Sequence, residues 1–137
     1  MVFKFLDHTA DLKISVEEKS LEKAFVNSAL ALKEAIAERV KVKSKLKKQI
    51  EINGKDLESL LYNFLEEFLF LLDAEGFLLS EIREFKLDKK KFQIKCFLFG
   101  DKAKNYKFSN DVKAITYNEM KITNSKGKSV IEFVVDV

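Results

Sequence analysis

The stretch from Asp56 to Gly76 constrains the fold of this chain more than any other. Leu57, Leu60, Leu61, Phe64, Leu65, Phe68, Leu69 and Leu72 recur at i, i+3 and i+4 for more than four turns, which lines apolar side chains along one stripe of an α-helix. Asp56 stands where a side-chain oxygen caps the first turn, and Gly76 where a left-handed residue ends the last. A helix with so broad an apolar stripe has to be buried against another layer.

The rest of the chain supplies that layer. Ser20 offers an N-cap to an earlier helix with Leu21, Ala24, Phe25, Leu32 and Ile36 on one face. Elsewhere the apolar period drops towards two, the mark of strands. Phe3 to Leu6 and Leu12 to Val16 read as short strands around a polar turn, Asp7-His8-Thr9-Ala10-Asp11. Val40, Val42, Leu46, Ile50 and Ile52 mark a strand region with lysines between them, ended by an Asn53-Gly54 turn. After Gly76, one strand is expected through Leu79, Ile82, Phe85 and Leu87, and a second through Phe92, Ile94, Cys96 and Leu98. A polar segment from Asp101 to Asn110 then crosses to a strand from Val112 through Thr123. The Asn124-Ser125-Lys126-Gly127 turn returns the chain along Ser129 to Val137 as a terminal hairpin. Two main amphipathic helices with six or seven mostly antiparallel strands make an α+β fold. With no linker, repeat or low-complexity tract, residues 1–137 are expected to form a single domain.

Composition removes several function classes. The 25 basic and 22 acidic side chains nearly cancel, leaving +3, unlike the one-sided charge of proteins that package nucleic acid in bulk. The longest apolar run, Phe68 to Leu72, stops at Asp73, far short of the ~20 residues a membrane helix needs. Met1 to Leu6 is too short for the apolar core of a signal peptide, so a cytoplasmic location is expected. One cysteine, Cys96, makes no internal disulfide, and one Cys with one His makes no Cys/His zinc site. Any metal must therefore use oxygen ligands. The same count leaves no Ser/His/Asp or Cys/His set for nucleophilic catalysis.

Four segments carry chemistry worth testing. The Asp7-His8-Thr9-Ala10-Asp11 turn places two carboxylates and an imidazole in five residues, a set suited to metal binding or proton transfer. Asp7 and Thr9 are equally suited to hydrogen-bonding the turn's own backbone. At the other end, Asp136 lies next to the α-carboxylate of Val137. Such oxygens suit a hard cation, to which Asp11 would add a donor if its strand lies beside the last one; the alternative is a frayed, solvated end. Lys113 lies in Lys113-Ala114-Ile115-Thr116-Tyr117 and, by spacing alone, is an edge lysine. Alternation from Lys41 to Lys48 places Lys41, Lys43, Lys45 and Lys47 on one strand face with Val42 and Leu46 opposite: a solvated face, or a stripe for phosphates.

The first three of these segments, with the helix that starts at Asp56, resemble a known family. Asp7-His8-Thr9-Ala10-Asp11 is similar to the [E/D]-H-T-A-D motif of archease, and Asp56 to Glu67 resembles its D-L-E-x-L-L-Y-x-F-L-E-E helix. Lys113 to Tyr117 resembles the family's K-A-[VI]-T-Y segment, and the ending in Asp136 and an aliphatic residue is similar too. The resemblance, in order and spacing, covers nearly the whole chain. It implies a non-catalytic activator of the RtcB-type tRNA-splicing RNA ligase, one that promotes ligase guanylylation and multiple turnover in exon joining. By the same resemblance Asp11, Asp136 and Val137 are metal ligands, with a divalent ion such as calcium, magnesium or manganese as cofactor. Lys113 is functionally important, with His8 and Asp7 in the same motif as Asp11. Contact with tRNA would be indirect, through the ligase, and neither a membrane nor DNA is involved. The family commonly has His after T-Y, where this chain has Asn118. Two alternatives stand beside this expectation: a metal-dependent phosphoester hydrolase using the same carboxylates, and an RNA-binding module using the Lys41–Lys48 stripe.

Overall fold

The computed structural model describes residues 3–6 and 11–137. Seven strands form two antiparallel sheets. In the four-stranded sheet the order is β1 (Phe3–Leu6), β2 (Asp11–Glu18), β7 (Lys128–Asp136) and β6 (Ala114–Ser125). The three-stranded sheet runs β3 (Leu46–Asn53), β5 (Gln93–Lys102), β4 (Phe77–Asp88). Helix α1 (Leu21–Ile36) packs on β2, β7 and β4, and α2 (Leu57–Glu75) on β6, β4 and β3, so each helix touches both sheets. The α+β architecture with two helices and seven strands is the one expected.

The helix boundaries follow from their caps. Ser20 accepts the Lys23 N–H at 3.2 Å. Asp56 accepts the Ser59 N–H at 2.7 Å while the Ser59 hydroxyl accepts the Asp56 N–H at 3.1 Å, a reciprocal capping box. Gly76 ends α2 at φ 61°, a left-handed conformation that glycine adopts without a Cβ penalty. Where the two helices meet the sheets, Phe64 is fully buried, with ring centroids 6.3 Å from Phe25 of α1, 5.0 Å from Phe68 and 5.7 Å from Phe85 of β4.

The structure corrects the expected strands in four places. The strand region from Val40 begins only at Leu46. Residues 40–45 find other partners instead: the Lys43 N–H donates to the Tyr106 hydroxyl at 2.9 Å, and the Ser80 hydroxyl donates to the Val42 carbonyl at 2.9 Å. The lysine stripe is broken accordingly. Val42 is buried, but Lys41, Lys43 and Lys45 lie on irregular chain, Leu46 is 36% exposed, and Lys48 pairs with Glu75. Asp101 and Lys102 complete β5 instead of opening a polar crossing, and Asp101 is buried. The crossing that follows closes α1: the Ser109 N–H and the Asn110 side chain donate to the carbonyls of Ile36 and Ala35 at 2.7 and 2.8 Å, satisfying groups that a helix end leaves open. The first strand of the last pair runs from Ala114 to Ser125 instead of Val112 to Thr123, and the turn narrows to Lys126-Gly127. Phe92 sits before β5 in the turn at φ 52°, not within the strand.

Strand β4 explains its own irregular apolar spacing. Its register against β5 shifts between Leu79 and Glu81 and again between Arg83 and Lys86. Each shift inserts a residue, so Leu79, Ile82, Phe85 and Leu87 all reach the core although they are not two apart throughout.

Candidate functional site

The register of the four-stranded sheet brings distant parts of the chain to one edge. Asp11 opens β2 and is paired with Asp136 at the end of β7, which is paired in turn with Ala114 at the start of β6. One step inward, Leu12, Val135 and Ile115 pack into the core. Side chains alternate along a strand, so Asp11 and Asp136 share the face turned away from the helices. The Lys113 N–H donates to the Asp136 carbonyl at 2.8 Å, fixing Lys113 beside the same strand end. Lys113 and Asp136 are exposed, Asp11 is half-buried, and Val137 is 40% exposed.

Of the residues singled out in the sequence, the structure therefore gathers Asp11, Asp136, Val137 and Lys113. Asp7 and His8 lie outside the described residues. The tyrosine of the Lys113–Tyr117 segment is 44% exposed and meets Tyr62 of α2 edge-on, centroids 5.4 Å apart. Asn118 is exposed in the stretch where the β6–β7 register shifts, between Thr116 and Lys121.

Two carboxylates held on adjacent strands repel, and a hard cation beside them would offset that repulsion through oxygen ligands of the right kind. The donor chemistry therefore fits a divalent ion. Among the described residues, no three His, Cys, Asp or Glu side chains gather to hold one, so further oxygens, the Val137 carboxylate among them, have to complete any such site.

Other polar groups serve the fold. The Tyr106 hydroxyl donates to Asp101 at 2.7 Å and the Lys102 N–H at 2.8 Å; together they hold the Asp101 carboxyl below its usual range. The same bond to Asp101 pushes the Tyr106 phenol up. Burial raises the Cys96 thiol to about 12, which leaves it protonated at neutral pH and a poor nucleophile.

The sequence expectations passed over the outer face of the three-stranded sheet. Ile94, Cys96 and Leu98 turn inward, which leaves Lys95, Phe97 and Phe99 on the other face of β5. The available signal was an aromatic pair in the positions that should have been polar.

A model of the Archease protein family matches residues 3–137. The chain belongs to the archease family. It is 40% identical over 136 residues to protein archease of Pyrococcus abyssi, covering 96% of this chain and 95% of that one. To protein archease of Sulfolobus acidocaldarius it is 36% identical over 137 residues, covering 98% of both. Among solved folds, the solution structure of protein 1598 of Methanobacterium thermoautotrophicum superposes with a TM-score of 0.83 at 30% identity, covering 98% of each chain. A crystal structure from Thermotoga maritima, described as an archease and possible chaperone, shares the fold with a TM-score of 0.67 at 18% identity. Among the described residues of this archease, no helix is long and apolar enough to cross a membrane.

Proposed function

We propose that this archease activates an RtcB-type tRNA-splicing RNA ligase by promoting its guanylylation, and that it does so as a protein partner with no reaction of its own. The observation that carries the proposal is the shared strand edge. Asp11, Asp136 and Lys113 come from separate segments, yet two strand pairings and one backbone hydrogen bond set them side by side. A divalent cation would be held there by Asp11, Asp136 and the Val137 carboxylate, and would supply positive charge beside phosphate oxygens. Lys113, whose backbone is tied to the same strand end, would bring a second cation there. Phosphoryl transfer depends mainly on positioning and charge stabilisation, so a partner can assist it without covalent chemistry.

The coarser form of the role, action upon a partner protein, agrees with the description of the Thermotoga relative as a possible chaperone. Tyr117, exposed on the strand that Lys113 leads into, offers an aromatic anchor for such a contact.

The test is RNA joining by a cognate ligase held well below its substrate. Repeated turnover only with this archease present is expected. Turnover at the same rate without it would refute the role, and cleavage of a phosphoester by the archease alone would return the hydrolase alternative.

A further inference from the structure

We infer that the outer face of the three-stranded sheet is a binding platform for single-stranded RNA. On the central strand β5, Lys95, Phe97 and Phe99 alternate onto the face that no helix covers. The flanking strands set cations against both rings. Lys47 Nζ of β3 lies 4.4 Å from the Phe97 centroid, and the Arg83 guanidinium of β4 lies 4.4 Å from that of Phe99. Bases without a partner stack on aromatic rings and on guanidinium planes, and a central strand carrying such rings is a recurrent way of holding them.

The phosphates have their own place at the end of the same face. Lys86 of β4 is the direct cross-strand partner of Lys95. Like charges so opposed repel; Glu51 of β3, 4.0 Å from Lys95, offsets this in part, and a phosphate would add to it. The β4–β5 turn adds Lys89, Lys90 and Lys91, so that five lysines line one open trough. The turn is built rather than loose: Asp88 accepts the N–H groups of Lys90 and Lys91 at 2.9 and 3.0 Å, which also holds its own carboxyl low. Acids are interspersed with these cations: Glu81 pairs with Arg83, Glu51 with Lys95 and Glu22 of α1 with Lys89, while Asp88 stands in the trough itself. From Lys95 to Phe99 the strand advances about 13 Å, the reach of a few nucleotides.

Cationic trough and stacking rings in line match a flexible polyanion that carries flat bases. An acidic protein surface would use the lysines and leave the rings idle. The choice of RNA over DNA rests on the proposed role in tRNA splicing; the platform itself does not.

The experiment needs no ligase, so its failure is distinct from failure of the activator role. Fluorescence anisotropy of a labelled oligouridine of about 12 nucleotides is read against archease alone. Phe97→Ala with Phe99→Ala, checked for folding by circular dichroism, is expected to weaken binding by at least about fivefold per ring. Lys86→Ala with Lys95→Ala is expected to lower the slope of log affinity against log salt by about 1.4. Duplex RNA and polyglutamate should compete poorly. The proposal is overturned by absent binding, by binding that the ring substitutions leave unchanged, or by equal displacement with polyglutamate, which would mark an acidic partner. Equal affinity for the deoxy oligomer would overturn the assignment to RNA.

Discussion

The two sheets are both antiparallel, but one ends in paired carboxylates and the other presents an outer face of cations and aromatic rings. In the four-stranded sheet, β2 and β7 pair without a break from Asp11↔Asp136 to Glu18↔Ser129, and the pairing ends in two carboxylates. In the three-stranded sheet, β4 shifts register twice against β5, and the outer face carries lysine, arginine and phenylalanine. An unbroken ladder holds opposed residues at fixed spacing, as a site shared between strands requires. The bulged ladder twists more and keeps its core contacts by absorbing extra residues. The nearly balanced net charge of the chain therefore conceals a local division of sign between an acidic strand end and a basic sheet face.

The comparison is broken most severely where the sheets share a core. Phe64 contacts α1 and β4 from within α2, so Phe64→Ala should cost about 3–5 kcal/mol and lower the stability of both sheets together in chemical denaturation. Separate loss of one sheet, seen by hydrogen exchange, would show that they are not one cooperative unit.

A smaller change sharpens the difference by acting on one sheet. A Cβ at Gly100 would lie 2.1 Å from the Leu78 carbonyl oxygen and 2.7 Å from the Phe77 ring. Gly100→Ala should therefore cost about 1–3 kcal/mol through overpacking. Amides of β4 and β5 should exchange faster by more than those of β2 and β7, which feel only the loss of global stability and no local opening. Equal loosening of both sheets would contradict the assignment.

Smaller again is the effect of pH on the Asp101–Tyr106 bond, which ties the end of β5 to the segment before β3. The Asp101 carboxyl is lowered when folded, so its contribution is present above its ordinary value of 3.8 and is lost as pH falls through the lower folded value. The Tyr106 phenol is raised, so its contribution is present below its ordinary 10.0 and is lost as pH rises through the higher folded value. The difference in Tm between wild type and Tyr106→Phe should be flat between these limits and shrink beyond both. A difference that grew on acidification would oppose this account of the bond.

The helices and the candidate site differ in how far sequence reveals them. α2 was legible from Asp56 to Gly76 because its caps and apolar stripe are local. The irregular steps of Leu79, Ile82, Phe85 and Leu87 were legible as a strand, but the inserted residues that reconcile them with the core depend on β5. The segment from Val40 to Lys45 has a strand-like pattern, yet Tyr106 and Ser80 supply hydrogen bonds that replace a ladder. Asp11 stood out in a carboxylate-rich turn and Asp136 beside the terminal carboxylate, but joining them rested on the resemblance and on the condition that their strands are neighbours; the pairing links opposite ends of the chain, which no local spacing encodes. Phe97 and Phe99 were missed because the core positions of β5 alone satisfied the alternation.

The most direct test compares two carboxylates on the same face of β7. Asp136 is paired with Asp11, whereas Glu132, four residues earlier, lies 3.7 Å from Lys13. Both Asp136→Asn and Glu132→Gln are surface changes that should leave Tm within about 2 °C. The measurement is the rate of ligase guanylylation at saturating archease. Stimulation lost with Asp136→Asn and kept with Glu132→Gln is the predicted result; full stimulation by Asp136→Asn would contradict the central claim.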